Sequence, residues 1–103
     1  MSSVYLKVYI SEKQRHHGVL LYEWLLNEAQ RMGVNGGSVF RSIAGFGRHG
    51  QMQDVSFFEL AGELPVQVEF VLDKTLADKF LGVLRKQKLN LFYICYPVES
   101  GFL

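Results

Sequence analysis

Apolar residues alternate with polar or aromatic ones from Val4 to Ile10. Val4, Leu6, Val8 and Ile10 fall on one side and Tyr5, Lys7 and Tyr9 on the other, which predicts a β-strand. A polar connection follows over 11–17. Leu20, Leu21, Trp24, Leu25, Ala29 and Met32 then recur at spacings of one, three and four, the mark of a helix with one apolar stripe. Gly33 is placed to end that helix, because glycine enters the left-handed conformation cheaply. Gly36-Gly37 marks a turn, and the β-branched and aromatic stretch 38–44 predicts a second strand. Gly45, Gly47 and Gly50 make 45–51 a flexible polar loop, expected to be the most mobile internal segment.

Val55, Phe57 and Phe58 predict a short further strand, followed by a turn at 61–63. Pro65 can open a strand but not sit centrally in one, and Val66, Val68, Phe70 and Leu72 then share a face. Asp73 and Thr75 are both candidate N-caps of a second helix, Thr75 with Asp78 resembling a capping box. Leu76, Ala77, Phe80, Leu81 and Leu84 form its apolar stripe. A last strand is expected over 90–96, stopped by Pro97. The order predicts an α+β, ferredoxin-like βαββαβ sandwich, with an antiparallel sheet and two helices on one of its faces. It occupies the whole of 1–103 as a single domain.

The other sheet face is unusual. A solvated face should be polar, yet it would carry Tyr5, Tyr9, Val71 and residues from Phe92-Tyr93-Ile94. The extra strand near Phe57-Phe58 could fold over it. Association with further copies is the favoured account, because a large exposed apolar patch usually marks an interface.

Composition narrows the class. The chain has 103 residues, 49% of them hydrophobic and 20% charged, which fits one small globular unit. Its net charge of +1 creates no global field toward nucleic acid or an anionic membrane. The one cysteine, Cys95, lies in the apolar run 91–96 and reads as an inert, buried thiol. The start lacks a basic flank followed by an apolar stretch, and no apolar run is long enough to span a bilayer. A cytoplasmic location is therefore expected, with no direct membrane insertion and no nucleic-acid partner.

Candidate chemistry is sparse. Glu59, Glu63 and Glu69 are scattered acids, and no order of serine, histidine and aspartate suggests a triad, so the chain is not expected to be an enzyme. His16-His17 read as a solvated pair, since adjacent side chains diverge and no third ligand sits at a metal-like spacing. Arg41 is as fit for an ion pair as for a ligand. Arg48 and His49 lie in the glycine loop and are better placed for binding. Arg85, Lys86 and Lys88 cluster at a helix end, where cations also complement the helix dipole.

The segments Gly37-Ser38-Val39-Phe40-Arg41-Ser42-Ile43-Ala44-Gly45-Phe46-Gly47 and Leu64-Pro65-Val66-Gln67-Val68-Glu69-Phe70-Val71, with Tyr9-Ile10-Ser11-Glu12, resemble the bacterial family called domain of unknown function 190. A weaker likeness extends to the PII nitrogen-regulatory proteins, in which a similar Gly-Phe-Gly-Arg ends the second strand. That resemblance implies a trimer with its sheets inside and helices outside. It also implies a nucleotide or small anion, such as an adenine nucleotide, in the cleft between subunits. A loop would signal occupancy to a partner such as a membrane transporter or enzyme. By position, Gly45, Phe46, Gly47 and Arg48 would meet the anion, with Arg41 as a second cation. The segment 84–90 departs from the PII pattern, because it lacks the glycines of the phosphate-cradling loop found there. A ligand-free structural module that docks on a partner is the alternative.

Overall fold

The structure is a computed structural model that describes residues 2–46, 52–54 and 65–103, with side chains at 2–45 and 65–103. The expected strand at Val55, Phe57 and Phe58, the turn at 61–63 and the expected mobility of the loop tip fall outside those residues.

The elements are β1 (Ser3–Ser11), β2 (Arg15–His16), β3 (Val19–Leu20), α1 (Leu21–Arg31), β4 (Gly37–Arg41), β5 (Ala44–Phe46), β6 (Met52–Asp54), β7 (Pro65–Asp73), α2 (Lys74–Lys86) and β8 (Phe92–Val98). The main sheet is four-stranded in the order β4-β7-β1-β8, and every pairing in it is antiparallel. With α1 and α2 on one face, this is the predicted ferredoxin-like arrangement.

Strict alternation builds the core. Val4, Leu6, Val8 and Ile10 of β1 and Val66, Val68, Phe70 and Leu72 of β7 are all buried beneath the helices. Leu21, Leu25 and Ala29 of α1 meet them, as do Ala77, Phe80, Leu81 and Leu84 of α2. Leu6, Leu21, Leu25 and Phe80 are sealed from water, a burial worth ~1.5–3 kcal/mol for each large side chain. Phe70 and Phe80 meet edge to face, with ring centroids 5.4 Å apart.

Local signals set the boundaries. Gly33 has φ of +98° and ends α1 as expected. At the start of α2 the Asp73 carboxylate accepts hydrogen bonds from the Thr75 and Leu76 amides at 2.9 and 3.3 Å. Asp73 is therefore the cap, and Thr75 lies inside the helix. Three sequence expectations need correction. The polar stretch after β1 contains a small hairpin, β2–β3, and Leu20 belongs to it rather than to α1. The second strand ends at Arg41, where the Ser42 amide turns to donate to the Pro65 carbonyl at 3.0 Å, and Ala44–Phe46 pairs separately with Met52–Asp54. Pro97 does not stop the last strand. It lies opposite Val4 within β8, an edge strand, where a missing N–H is tolerated.

Gly37 is fixed by packing. A Cβ there would stand 2.6 Å from Phe70 Cε1 and 3.1 Å from Leu26 Cδ2, whereas at Gly36 it would meet nothing within 4 Å. Gly37→Ala should therefore lower stability by ~1–3 kcal/mol, the usual cost of overpacking. Gly36→Ala should be close to neutral, and urea denaturation of the two variants checks the contrast.

Candidate functional site

Of the residues expected to meet an anion, Arg41 lies on β4, an edge strand of the main sheet. Arg41 ends that strand, and its guanidinium meets Glu12 at 2.5 Å. Both partners are partly exposed, so the pair itself adds little to stability. Gly45 and Phe46 lie in β5, with Gly45 opposite Gln53 and Phe46 opposite Met52 of β6. Gly45 has open space around it. Gly47, Arg48 and His49 lie outside the described residues.

A second cationic region, weighed in the sequence as a helix-end cluster, lies beside α2 at the other sheet edge. The helices cover β4, β7 and β1, and a groove of about 470 Å³ opens next to β8. Its floor is apolar, with Val8, Leu81, Leu84 and Leu89, and its rim carries Arg85 and Lys88. Arg85 also donates to the Tyr93 hydroxyl at 3.4 Å. The turn at this rim contains no glycine, but Lys88 and Asn90 have φ of +56° and +55°. The left-handed backbone that glycine would supply is thus present on other residues. Composition alone could not reveal it.

The two regions occupy opposite edges but the same end of the sheet. Arg41 lies opposite Val66, Val66 opposite Ile10, and the neighbouring Tyr9 opposite Phe92 at the start of β8. A single copy cannot bring them together, because the width of the sheet separates them.

The helix-free face matches the expected apolar surface. Tyr5 packs on Tyr96 and Tyr9 on Phe92, with ring centroids 5.1 and 5.6 Å apart. Phe40, Phe92 and Tyr96 are 52%, 59% and 47% exposed. Between Tyr5 and Tyr9 lies the Lys7 ammonium, 5.7 Å from each ring centre. Lys7 pairs across the strands with Glu69. Burial, and then a hydrogen bond to the Glu69 carboxylate, push the Tyr5 hydroxyl well above the usual phenol range. Cys95 points to the other face, opposite Leu6, and is packed against the core as a partly buried free thiol.

His16 and His17 do not diverge as expected. His17 takes φ of +51°, which turns its ring back beside that of His16, with centroids 3.9 Å apart. Both Nε2 atoms reach the Gln87 side-chain oxygen at the end of α2, at 2.9 and 3.3 Å. Trp24, half-buried rather than fully in the core, meets His16 edge-on at 4.8 Å. Sequence spacing could not find this cluster, since Gln87 is about seventy residues away and amides are not read as ligands.

Comparison with known proteins fits this geometry. The DUF190 family, described as "Uncharacterized ACR", matches residues 3–99, and the chain belongs to it. A UPF0166 protein of Aquifex aeolicus is 34% identical over 98 residues, covering 95% of this chain and 92% of that protein. In three dimensions the chain is similar to CPII, a nitrogen regulatory PII-like protein from Thiomonas intermedia K12 bound to ADP, AMP and bicarbonate. The TM-score is 0.69 at 13% identity, over 100% of this chain and 97% of CPII. It is also similar to CutA1 from Oryza sativa, with a TM-score of 0.63 at 11% identity, over 98% of this chain and 84% of that one. At these identities the structural likenesses establish the fold, which is PII/CutA-like.

The Tyr5 environment has a measurable consequence. A raised folded-state pKa means that the neutral phenol is favoured by folding. That stability is complete below the ordinary value of ~10 and is lost as pH rises through the folded value. Ultraviolet titration of the five tyrosines should therefore leave one un-ionised after the others, until the sheet opens. In Tyr5→Phe this late step should disappear, and its survival there would assign it to another residue.

Proposed function

We propose that this member of the DUF190 family is a PII-like regulatory protein. In this reading it assembles as a trimer through the helix-free sheet face and binds a nucleotide or small anion in the cleft between subunits. The observation that carries the proposal is the division of cations between the two sheet edges. Arg41 and the β5–β6 hairpin stand at one edge, and Arg85 and Lys88 stand beside an apolar groove at the other, at the same end of the sheet. A closed ring of copies brings unlike edges together. An apolar floor with cations at its rim suits a base and its phosphates. That CPII is described bound to ADP, AMP and bicarbonate points to the same ligand class.

Within this reading Gly45 and Gly47 let backbone amides approach the anion, and Arg48 supplies the principal charge. Phe46 stands with Gly45 at the base of the loop, and Arg41 is the second cation, released from or shared with Glu12. The protein does no chemistry on the ligand. It signals occupancy to a partner such as a transporter or enzyme in the cytoplasm. Among the described residues no helix is long and apolar enough to cross a membrane.

Light scattering coupled to gel filtration should give the mass of three 11.8 kDa chains at micromolar concentration. A monomer would rule out the cleft. Calorimetric titration with ADP, AMP and bicarbonate should identify a ligand. Arg48→Ala and Lys88→Ala should then each weaken binding, by ~10- to 100-fold if each loses one charge-assisted contact of ~1.5–3 kcal/mol. A trimer that takes up none of these ligands would favour the structural docking module.

A further inference from the structure

We propose that His16 and His17, with Gln87, form a binding site for a divalent transition-metal ion of the Zn²⁺ or Cu²⁺ class, separate from the inter-subunit cleft. Two imidazole Nε2 atoms converge on one amide oxygen, at 2.9 and 3.3 Å. A first-row ion bound at ~2.0–2.1 Å holds neighbouring donors about 2.9–3.4 Å apart, from octahedral to tetrahedral geometry. Both Nε2–Oε1 spacings fall within that range.

The site is held by its surroundings. The hairpin that carries both histidines is closed by the β2–β3 pairing and by the Arg15 guanidinium donating to the Gly18 carbonyl at 2.8 Å. Its far end is tied to β1 and α1 through Gln14, whose amide donates to the Ser11 carbonyl and whose carbonyl accepts from the Leu21 amide. Trp24 stands edge-on against His16 and limits the rotation of its ring. Gln87 sits at the C-terminal cap of α2, where its own amide donates to the Leu84 carbonyl at 3.0 Å.

The donor set selects the ion. Two neutral imidazoles suit zinc, copper and nickel, and the single amide oxygen is a weaker third ligand. Among the described residues there is no group of three or more His, Cys, Asp or Glu that could hold a metal. The remaining positions therefore fall to water on the exposed His17 side. Without metal, both Nε2–H groups donate to the Gln87 oxygen, which can only accept. Metal binding uses the other neutral tautomer of each ring, with the proton on Nδ1 and the Nε2 lone pair directed at the ion. The bound ion would fasten the hairpin to the turn that carries Lys88.

Trp24 is the sole tryptophan and reports on the site. Titration of the untagged protein with Cu²⁺ should quench its fluorescence to saturation, and calorimetry with Zn²⁺ should give one ion per chain. His16→Gln and His17→Asn should each weaken binding by at least ~10-fold, since a direct ligand should matter no less than an outer-shell partner. Asparagine is chosen at position 17 because it tolerates the left-handed backbone. Thermal melts of both variants separate loss of the site from loss of the fold. No Zn²⁺ uptake by the parent protein overturns the proposal. So does unchanged affinity in a folded histidine variant.

Discussion

The pairing of β1 with β7 governs everything else in this molecule. It runs without a break from Ser3 opposite Asp73 to Ser11 opposite Pro65. A strand's side chains alternate between faces, so this register commits eight aliphatic and aromatic residues to the helix side at once. A slip of one residue would turn one strand over, exchanging its four for Tyr5, Lys7 and Tyr9 on β1 or for Gln67, Glu69 and Val71 on β7. A charged group would then lie in the core, at a cost no neighbouring side chain offsets. The same alternation leaves a second face of aromatic character that two helices cannot reach. Lys7 and Glu69, opposite each other at its centre, make that face particular about what covers it. An apolar partner would strand both charges, whereas one with complementary polar groups would not.

Sheet order decides where chemistry can gather. With β1 and β7 central, β4 and β8 become the edges. The β5–β6 hairpin leaves the chain just after one edge, and the turn following α2 leads into the other. Charged residues on these connections are far apart within one copy. The small size of the domain thus places its candidate ligand groups at its margins, where a neighbouring copy can supply what one chain lacks. The apolar sheet face and the divided cations are two consequences of one topology.

The periodic parts of this arrangement were legible in the sequence. Alternation in β1 and β7 and the stripes of both helices follow from side-chain geometry that any window of residues displays. Asp73 as a cap and Gly33 as a stop were equally local. The β2–β3 hairpin was not legible, because two-residue strands contain no period to detect. Pro97 misled because its effect depends on whether a strand is central or an edge, which sequence does not state directly. Of the candidate site, the sequence placed Arg41 inside a strand running to Ala44, whereas that strand ends at Arg41 and Gly45 lies in the separate strand β5. The groove beside β8 was hidden, since it arises from what the helices fail to cover.

The least legible feature is also the most concentrated. Among the described residues, the only non-glycine positions with positive φ are His17, Lys88 and Asn90. A left-handed residue of this kind costs roughly 1–2 kcal/mol, less for asparagine. All three lie in the two turns at one corner of the molecule, joined there by Gln87. Glycine at these positions would relieve the strain but would remove an imidazole and an ammonium group. Strain persists in a small domain only where the surroundings impose it. Here the closed hairpin holds one side and the helix cap the other, so that side chains rather than bare backbone are presented at this corner. A search for glycine passes over such a turn, because the conformation is kept while the residue that usually marks it is replaced by one with a functional group.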